Sequence, residues 1–313
     1  MILFGPIPSR RLGRSLGINN IPPKTCSYSC IYCQIGLTNN MTISRTPFFT
    51  PDEIYNEAEV KINKLERANE KIDYLTFVPD GEPTLDINLG KTIEKLKAFG
   101  IRTAVITNSS LIWDPEVKND LMKADWVSLK IDSVYKNVWR NINRPHGTLD
   151  LHKIIEGIVD FSSVYKGTLV TETMLVKGTN DSIESLNKTS ELIKNIQPKK
   201  AYILVPTRPP AEAYVKAPDE SILNAAYQIF DSIIGNTELL VYSEGTYFTF
   251  TDSAENELLS ILAVHPMSKN AVEEFLSISG STWNLISNLI EKNVLRVVEY
   301  SGNTYFIKKY TNK

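Results

Sequence analysis

The residues most able to do chemistry lie in one short stretch, Cys26-Ser-Tyr-Ser-Cys30-Ile-Tyr-Cys33, which holds every cysteine of the chain in a CxxxCxxC spacing. Three thiolates this close can meet at one metal centre, but they cannot complete a four-ligand cage. A structural zinc site asks for four protein ligands, and the histidines His146, His152 and His265 lie more than a hundred residues downstream. A cubane iron–sulfur cluster takes one Cys thiolate on each of four irons. Three cysteines would leave one iron open, and an open metal position is what catalysis requires. Two plainer readings use the same residues: a disulfide with a spare thiol, and an incomplete zinc knuckle.

The elements that must position this loop alternate in type. Residues 2–4 and 15–18 read as short strands separated by Pro6, Pro8 and Ser9-Arg10-Arg11, and Pro22-Pro23 forces an extended entry to the cysteines. Thr50 as N-cap, Pro51 at the first helical position and Asp52 and Glu53 in the first turn predict a helix to Asn69. Its apolar stripe is Ile54, Ala58, Ile62 and Leu65. Strands are expected at 72–78, 101–107, 126–131, 168–176, 200–205 and 238–242, and helices at 87–99, 115–122, 149–161, 181–196 and 218–234. Counted from Ser15, this gives about six right-handed βαβ units and a parallel sheet, short of the eight that close a full barrel.

Ligands of parallel α/β folds sit at the C-terminal ends of the strands, and the polar residues of this chain collect there. Asp80-Gly81-Glu82-Pro83 follows the 72–78 strand, Asn108-Ser109-Ser110 the next, Lys130 and Asp132 flank the end of the fourth, and Leu204-Val205-Pro206 ends the sixth. A glycine lets the backbone approach a ligand, and a carboxylate accepts hydrogen bonds from an ammonium. Lys130 needs a partner unless it alternates outward. Arg10, Arg11, Arg14, Arg144 and Arg208 suit a carboxylate or phosphate, or serve as ordinary loop arginines.

With aromatic Tyr32 before its last cysteine, the CxxxCxxC loop resembles the signature of the radical S-adenosylmethionine (SAM) superfamily. Asp80-Gly81-Glu82-Pro83 is similar to that family's GGEP motif, with Asp in place of the first Gly. The resemblance covers residues 1–245 and implies an α/β fold of the partial (β/α)6 barrel type. It implies a [4Fe–4S] cluster on Cys26, Cys30 and Cys33, with SAM on the open iron. Cofactor contacts are implied at Tyr32 and Val205 for adenine, at Gly81 and Glu82 for the SAM ammonium, and at Asn108, Lys130 and Asp132 for its other polar parts. In that family one electron cleaves SAM to methionine and a 5′-deoxyadenosyl radical, which takes hydrogen from a substrate. Reduced flavodoxin or ferredoxin is the implied electron donor. The opening from Gly5 to Gly17 resembles the GPxPSRRLGxSLG-like start of iron–sulfur oxidoreductases related to the radical SAM domain of wybutosine tRNA synthesis enzymes. Those enzymes carry further cysteines for a second cluster, and their absence here argues against that reaction.

The net charge of −2 over 313 residues gives no overall pull toward nucleic acid or anionic membrane. No apolar run approaches a membrane span. A start without a basic leader, and cysteines unlike a secreted disulfide framework, lead us to expect a cytoplasmic location. Residues 246–313 read as a separate domain: helices at 254–264, 270–277 and 282–292, then a hairpin across Ser301-Gly302-Asn303. That order resembles a winged helix-turn-helix. DNA is nonetheless a disfavoured partner, because this stretch holds six Lys and Arg against seven Asp and Glu. The sequence therefore favours a radical SAM enzyme acting on a nucleoside or tRNA base, a small metabolite or a partner protein. The alternative is an iron–sulfur-sensing, DNA-binding regulator.

Overall fold

A computed structural model describes residues 2–241 and 253–309. The chain opens with an antiparallel hairpin, β1 (Leu3–Ser9) and β2 (Gly13–Ile18). β1 passes through Pro6 and Pro8, which the sequence reading left between strands. An edge strand tolerates the missing N–H groups, and a register shift between Phe4 and Ile7 accommodates them. The cysteine loop follows, tied by a two-residue parallel pair, β3 (Thr25–Cys26) and β4 (Asn40–Met41). Helix α1 (Pro51–Arg67) begins where the sequence indicates: Thr50 Oγ1 accepts the Glu53 N–H, and the Glu53 carboxylate accepts the Thr50 N–H. Its four stripe residues are buried.

Strands and helices then alternate: β5 (Tyr74–Phe77), α2 (Leu89–Leu96), β6 (Arg102–Thr107), α3 (Pro115–Leu121), β7 (Trp126–Lys130), α4 (Lys136–Asn143), α5 (Leu151–Val164), β8 (Thr168–Met174), α6 (Ile183–Ile196), β9 (Lys200–Leu204), α7 (Glu220–Ile234) and β10 (Thr237–Leu240). They build one eight-stranded sheet in the order β1-β2-β5-β6-β7-β8-β9-β10. From β2 onward every pairing is parallel and each strand joins beside its predecessor. The expected alternation is therefore observed, with three departures. Helix α4 was not among the expected helices; α6, expected from Asp181, begins at Ile183 with Ser182 as its cap; and β10 ends at Leu240, Tyr242 lying outside the described residues.

Period-two alternation divides the sheet into two faces. Leu75, Phe77, Val105, Val127, Leu129, Ala201 and Ile203 pack in the main core with the helices. Tyr74, Ala104, Trp126, Val170 and Tyr202 form an apolar floor on the opposite face. On that inner face the next positions along the strands turn polar: Thr76, Ser128, Glu172 and then Lys130. Lys130 pairs in register with Glu172, so it points into the sheet's concavity rather than outward.

Residues 253–309 contribute α8 (Ala254–Val264), β11 (Met267–Ser268), α9 (Lys269–Ile278), α10 (Trp283–Glu291), β12 (Leu295–Tyr300) and β13 (Asn303–Lys308). Their sheet, in the order β11-β13-β12, closes over a separate core that includes Leu258, Ile261, Phe275 and Phe306. The β12–β13 turn is Ser301-Gly302, both at positive φ (48° and 76°), as a tight two-residue hairpin requires. This unit sits against the larger sheet. Ile7 packs on its core, Lys61 pairs with Glu257 at 2.6 Å, and the Tyr300 and Tyr305 hydroxyls donate to the carbonyls of Pro206 and Thr207. The expected boundary at 245/246 falls outside the described residues. No described helix is long and apolar enough to cross a membrane.

Candidate metal centre and active-site cavity

The cysteine loop is held from two sides. On one, Thr25 bridges Gly81, and the Glu82 N–H donates to the Thr25 carbonyl at 3.1 Å. A Cβ on Gly81 would collide with that carbonyl oxygen, so here the glycine permits close approach of the loop backbone. On the other side lies the end of α4. A helix leaves its last carbonyls unpaired, and here the loop supplies the donors: Ser29 N–H to Asn143 O at 3.0 Å and Ile31 N–H to Ile142 O at 3.0 Å.

Within this frame Cys26, Cys30 and Cys33, all free thiols, line one cavity of about 390 Å³ with Lys24, Asp80 and Gly81. Their dry surroundings push all three thiols up, Cys30 to about 12. Burial also pulls the Lys24 amine below its ordinary value.

The residues around the cysteines form two hydrogen-bonded groups. In the first, the Tyr32 hydroxyl donates to Asp132 Oδ2. Asn143 Nδ2 approaches Asp132 Oδ2 at 2.7 Å and Cys30 Sγ at 3.4 Å, and Asp132 Oδ1 accepts the Met174 N–H at 2.8 Å. In the second, Glu82, 1 % exposed, accepts from the Thr84 N–H, the Thr84 and Thr107 hydroxyls, and the Asn108 N–H at 2.7 Å. Burial drives the Glu82 carboxyl upward, and these donors pull against it. Asn108 Nδ2 reaches Ser27 Oγ at 2.9 Å and Cys26 Sγ at 3.5 Å.

A second cavity of about 900 Å³ opens beside the first and shares Cys33 with it. Tyr32, Lys130, Met174 and Val205 line it, together with Arg10, Arg11, Gln34, Glu172 and Arg208. Glu172 is bonded by Arg11 and by Ser128 Oγ at 2.7 Å, with Lys130 Nζ at 3.9 Å. Burial alone would raise its carboxyl, but Arg11 and Lys130 outweigh that and hold it below its usual range. Lys130 also stands 5.1 Å over the Tyr32 ring. Arg208 donates to Gln34 Oε1 at 2.7 Å and to His265 Nε2 at 3.0 Å, while Gln34 Nε2 donates to the Val264 carbonyl at 3.0 Å. The C-terminal unit thus reaches the residue next to Cys33.

The cysteines, Tyr32, Gly81, Lys130 and Val205 line these two cavities, and Glu82, Asn108 and Asp132 are bonded around them. Arg144 and Arg14 are drawn off into pairs with Glu212 and Glu70. Glu172, Asn143, Gln34 and His265 were missed. A lone acid within the β-run Thr168–Met174 was a usable signal for Glu172; the other three had none.

A model of the radical SAM superfamily matches residues 20–189. The chain belongs to that superfamily. The radical SAM chain is 47% identical over its whole length to the UPF0026 protein MJ1312 of Methanocaldococcus jannaschii, covering 97% of that protein. It is 31% identical to a UPF0026 protein of Helicobacter pylori strain J99, over 85% of each chain. Among solved structures, a radical SAM methyltransferase from Sphaerobacter thermophilus superposes with a TM-score of 0.53 at 13% identity, over 74% of this chain and 67% of that one, a likeness of fold alone.

The radical SAM family implies a [4Fe–4S] cluster and SAM, and the donor set fits. Three soft thiols line one cavity, no fourth Cys or His among the described residues lines it with them, and the larger cavity adjoins it at Cys33. Among the described residues, no three His, Cys, Asp or Glu side chains converge on a single ion; a cubane instead takes each thiolate on a different corner.

Proposed function

We propose that Cys26, Cys30 and Cys33 hold a [4Fe–4S] cluster on which SAM is cleaved reductively, and that the larger cavity presents a substrate for hydrogen abstraction. The observation that carries this is the sharing of Cys33 between the cysteine-lined cavity and the cavity of the sheet's inner face. When bound and reduced, such a cluster would supply one-electron reductive cleavage of SAM. The remaining work belongs to the chain. Gly81, which lines the cysteine cavity, is assigned to the SAM ammonium, and Glu82, buried and bonded by Thr84, Thr107 and Asn108, to holding the turn that presents it. Tyr32 and Val205, both on the larger cavity, are assigned to adenine. Lys130 and the arginines of that cavity suit a carboxylate or phosphate, on SAM or on the substrate. Asn108 and Asp132, tied into the loop frame, are assigned to holding its shape.

Residues 246–313 are assigned as a winged-helix-like domain that covers the cavity. Its helix α10 carries no Lys or Arg, and no observation favours DNA as its partner. Reduced flavodoxin or ferredoxin is the proposed electron donor.

Anaerobic reconstitution, reduction with dithionite and addition of SAM test the assignment. We expect four irons per chain and 5′-deoxyadenosine release, with both lost in Cys26→Ala, Cys30→Ala and Cys33→Ala. Retention of the full cluster and of SAM cleavage in any of these variants would remove that cysteine from the ligand set. A wild-type protein that takes up no iron would sink the reading.

A further inference from the structure

Two asparagine amides stand directly against cysteine sulfurs. Asn143 Nδ2 lies 3.4 Å from Cys30 Sγ, and Asn108 Nδ2 lies 3.5 Å from Cys26 Sγ. Which side of each amide faces the sulfur is decided by its other partners. Asn143 Nδ2 also contacts Asp132 Oδ2 at 2.7 Å and Tyr32 Oη at 3.2 Å; Asp132 Oδ2 already accepts the Tyr32 hydroxyl, so the amide presents its NH2 there, one N–H to Asp132 and the other toward Cys30 Sγ and Tyr32 Oη. Asp132 cannot swing away, because its other oxygen is held by the Met174 N–H and it also receives the Tyr32 hydroxyl. Asn108 Oδ1 accepts the Ser110 N–H at 2.9 Å, which turns its NH2 toward Ser27 Oγ and Cys26. Both sulfurs therefore face N–H donors. Both donors are also rigidly placed: Asn143 is the last residue of α4 and is 2 % exposed, while Asn108 is pinned through its own N–H by Glu82. Backbone N–H groups add to this: Tyr28 toward Cys26 and Ile35 toward Cys33.

We propose that Asn143 and Asn108 raise the reduction potential of the cluster by donating hydrogen bonds to the thiolate sulfurs of Cys30 and Cys26. This rests on the cluster assignment above. Reduction places one more negative charge on the iron–sulfur–thiolate unit. An N–H dipole aimed at a sulfur stabilises that form more than the oxidised one, and the weakly screened surroundings enlarge the difference. Hydrogen bonds to the sulfurs are among the levers that set such potentials. The two amides are positioning residues in this account, acting through the thiolates rather than on substrate.

The test uses the full chain, reconstituted anaerobically without SAM, in an EPR-monitored redox titration of wild type, Asn143→Leu and Asn108→Leu. Leucine keeps the branching of asparagine at Cγ and removes the donor; it is the bulkier side chain, so the iron content of each variant is read alongside its potential. We expect each variant to retain four irons per chain while its reduced-to-oxidised ratio at fixed potential falls about tenfold, a downward midpoint shift of about 59 mV for a one-electron couple. An intact cluster with an unmoved midpoint in both variants overturns the proposal. A second measurement covers the case of a variant that fails to assemble. Wild-type protein carrying side-chain 15N-asparagine is reduced and examined by pulsed EPR, where an amide 15N hyperfine coupling is expected. Its absence overturns the proposal, since a residue that merely shapes the loop leaves no such coupling. Wild type that binds no iron sinks the cluster assignment itself, whereas a normal cluster with unmoved potential and no 15N coupling sinks this proposal alone.

Discussion

Among the described residues, Glu172 is the one acid lining the larger cavity, and two cations pair with it. Its carboxylate is 2 % exposed and is met by Arg11 from the β1–β2 turn, by Lys130 from the neighbouring strand and by Ser128. Removing one member of a buried ionic group leaves the others desolvated without compensation, at a typical cost of about 3–5 kcal/mol. We therefore expect Glu172→Gln, nearly isosteric, to lower the unfolding free energy by roughly 3 kcal/mol in urea denaturation at pH 7. The sign with pH follows from the depressed carboxyl. The stability that Glu172 contributes is present above the ordinary glutamate range and is lost as pH falls through its lower folded value, so the gap between wild type and variant should narrow in acid. A gap that stays constant down to pH 3 would count against the pairing. The opening Gly5 to Gly17 gains a physical meaning here, since it builds the hairpin that delivers Arg11 to this acid.

The turn between β5 and α2 shows the same logic at the scale of an element. Asp86 is fully buried there. Its carboxylate caps the Asn88 N–H at 2.9 Å and accepts from Asn20 at 3.2 Å, while Arg45 binds its carbonyl at 3.1 Å. Burial dominates, and its carboxyl is pushed up to about 6. The folded state therefore holds this proton more tightly than the unfolded chain does. Stability should rise as pH falls from about 6 to about 4 and be lost as pH climbs back through 6. Asp86→Asn, neutral throughout, should remove roughly 2–3 kcal/mol of that slope in urea titrations over this window. Matching slopes would refute the account. Elements differ in how plainly the sequence announces them. Helix α1 is legible because its capping box, proline and apolar stripe are all local. Helix α4 is not, because Lys136-Asn-Val-Trp-Arg-Asn-Ile-Asn143 is poor in helix formers and has no side-chain cap at Tyr135. Tertiary contacts hold it instead: Trp139 is buried edge-on against Tyr28, donating to its hydroxyl at 3.1 Å, and the cysteine loop closes its last turn.

Across the whole molecule, what sequence discloses about the site follows the same division. The cysteines, Gly81 and Glu82 belong to compact motifs and are readable in the chain. Asn143 against Cys30 and Arg11 against Glu172 join positions 113 and 161 residues apart, and no local pattern records such a meeting. The C-terminal unit is likewise readable as three helices and a hairpin, but its seat on the sheet is not. That seat includes two tyrosine hydroxyls on the Pro206-Thr207 carbonyls. The double variant Tyr300→Phe, Tyr305→Phe should lose about 1 kcal/mol per bond. It should also speed hydrogen exchange across 295–308; unchanged exchange would show that the seat does not depend on these bonds.

The strand order has a consequence for how the protein is made. Each strand from β2 onward joins beside the one before it, so the sheet can grow as the chain leaves the ribosome. The thiols of the loop emerge almost at once, yet the carbonyls of α4 and the amide of Asn143 that frame them follow 110 residues after Cys33. At a synthesis rate of about 5–20 residues per second, that is a delay of roughly 6–22 s. For that interval the nascent chain carries three cysteines without their enclosure, exposed to oxidants and stray metals. Safe loading of iron thus belongs after the fourth parallel strand and its following helix have formed, and amino-terminal fragments that stop short of Asn143 lack the frame for it.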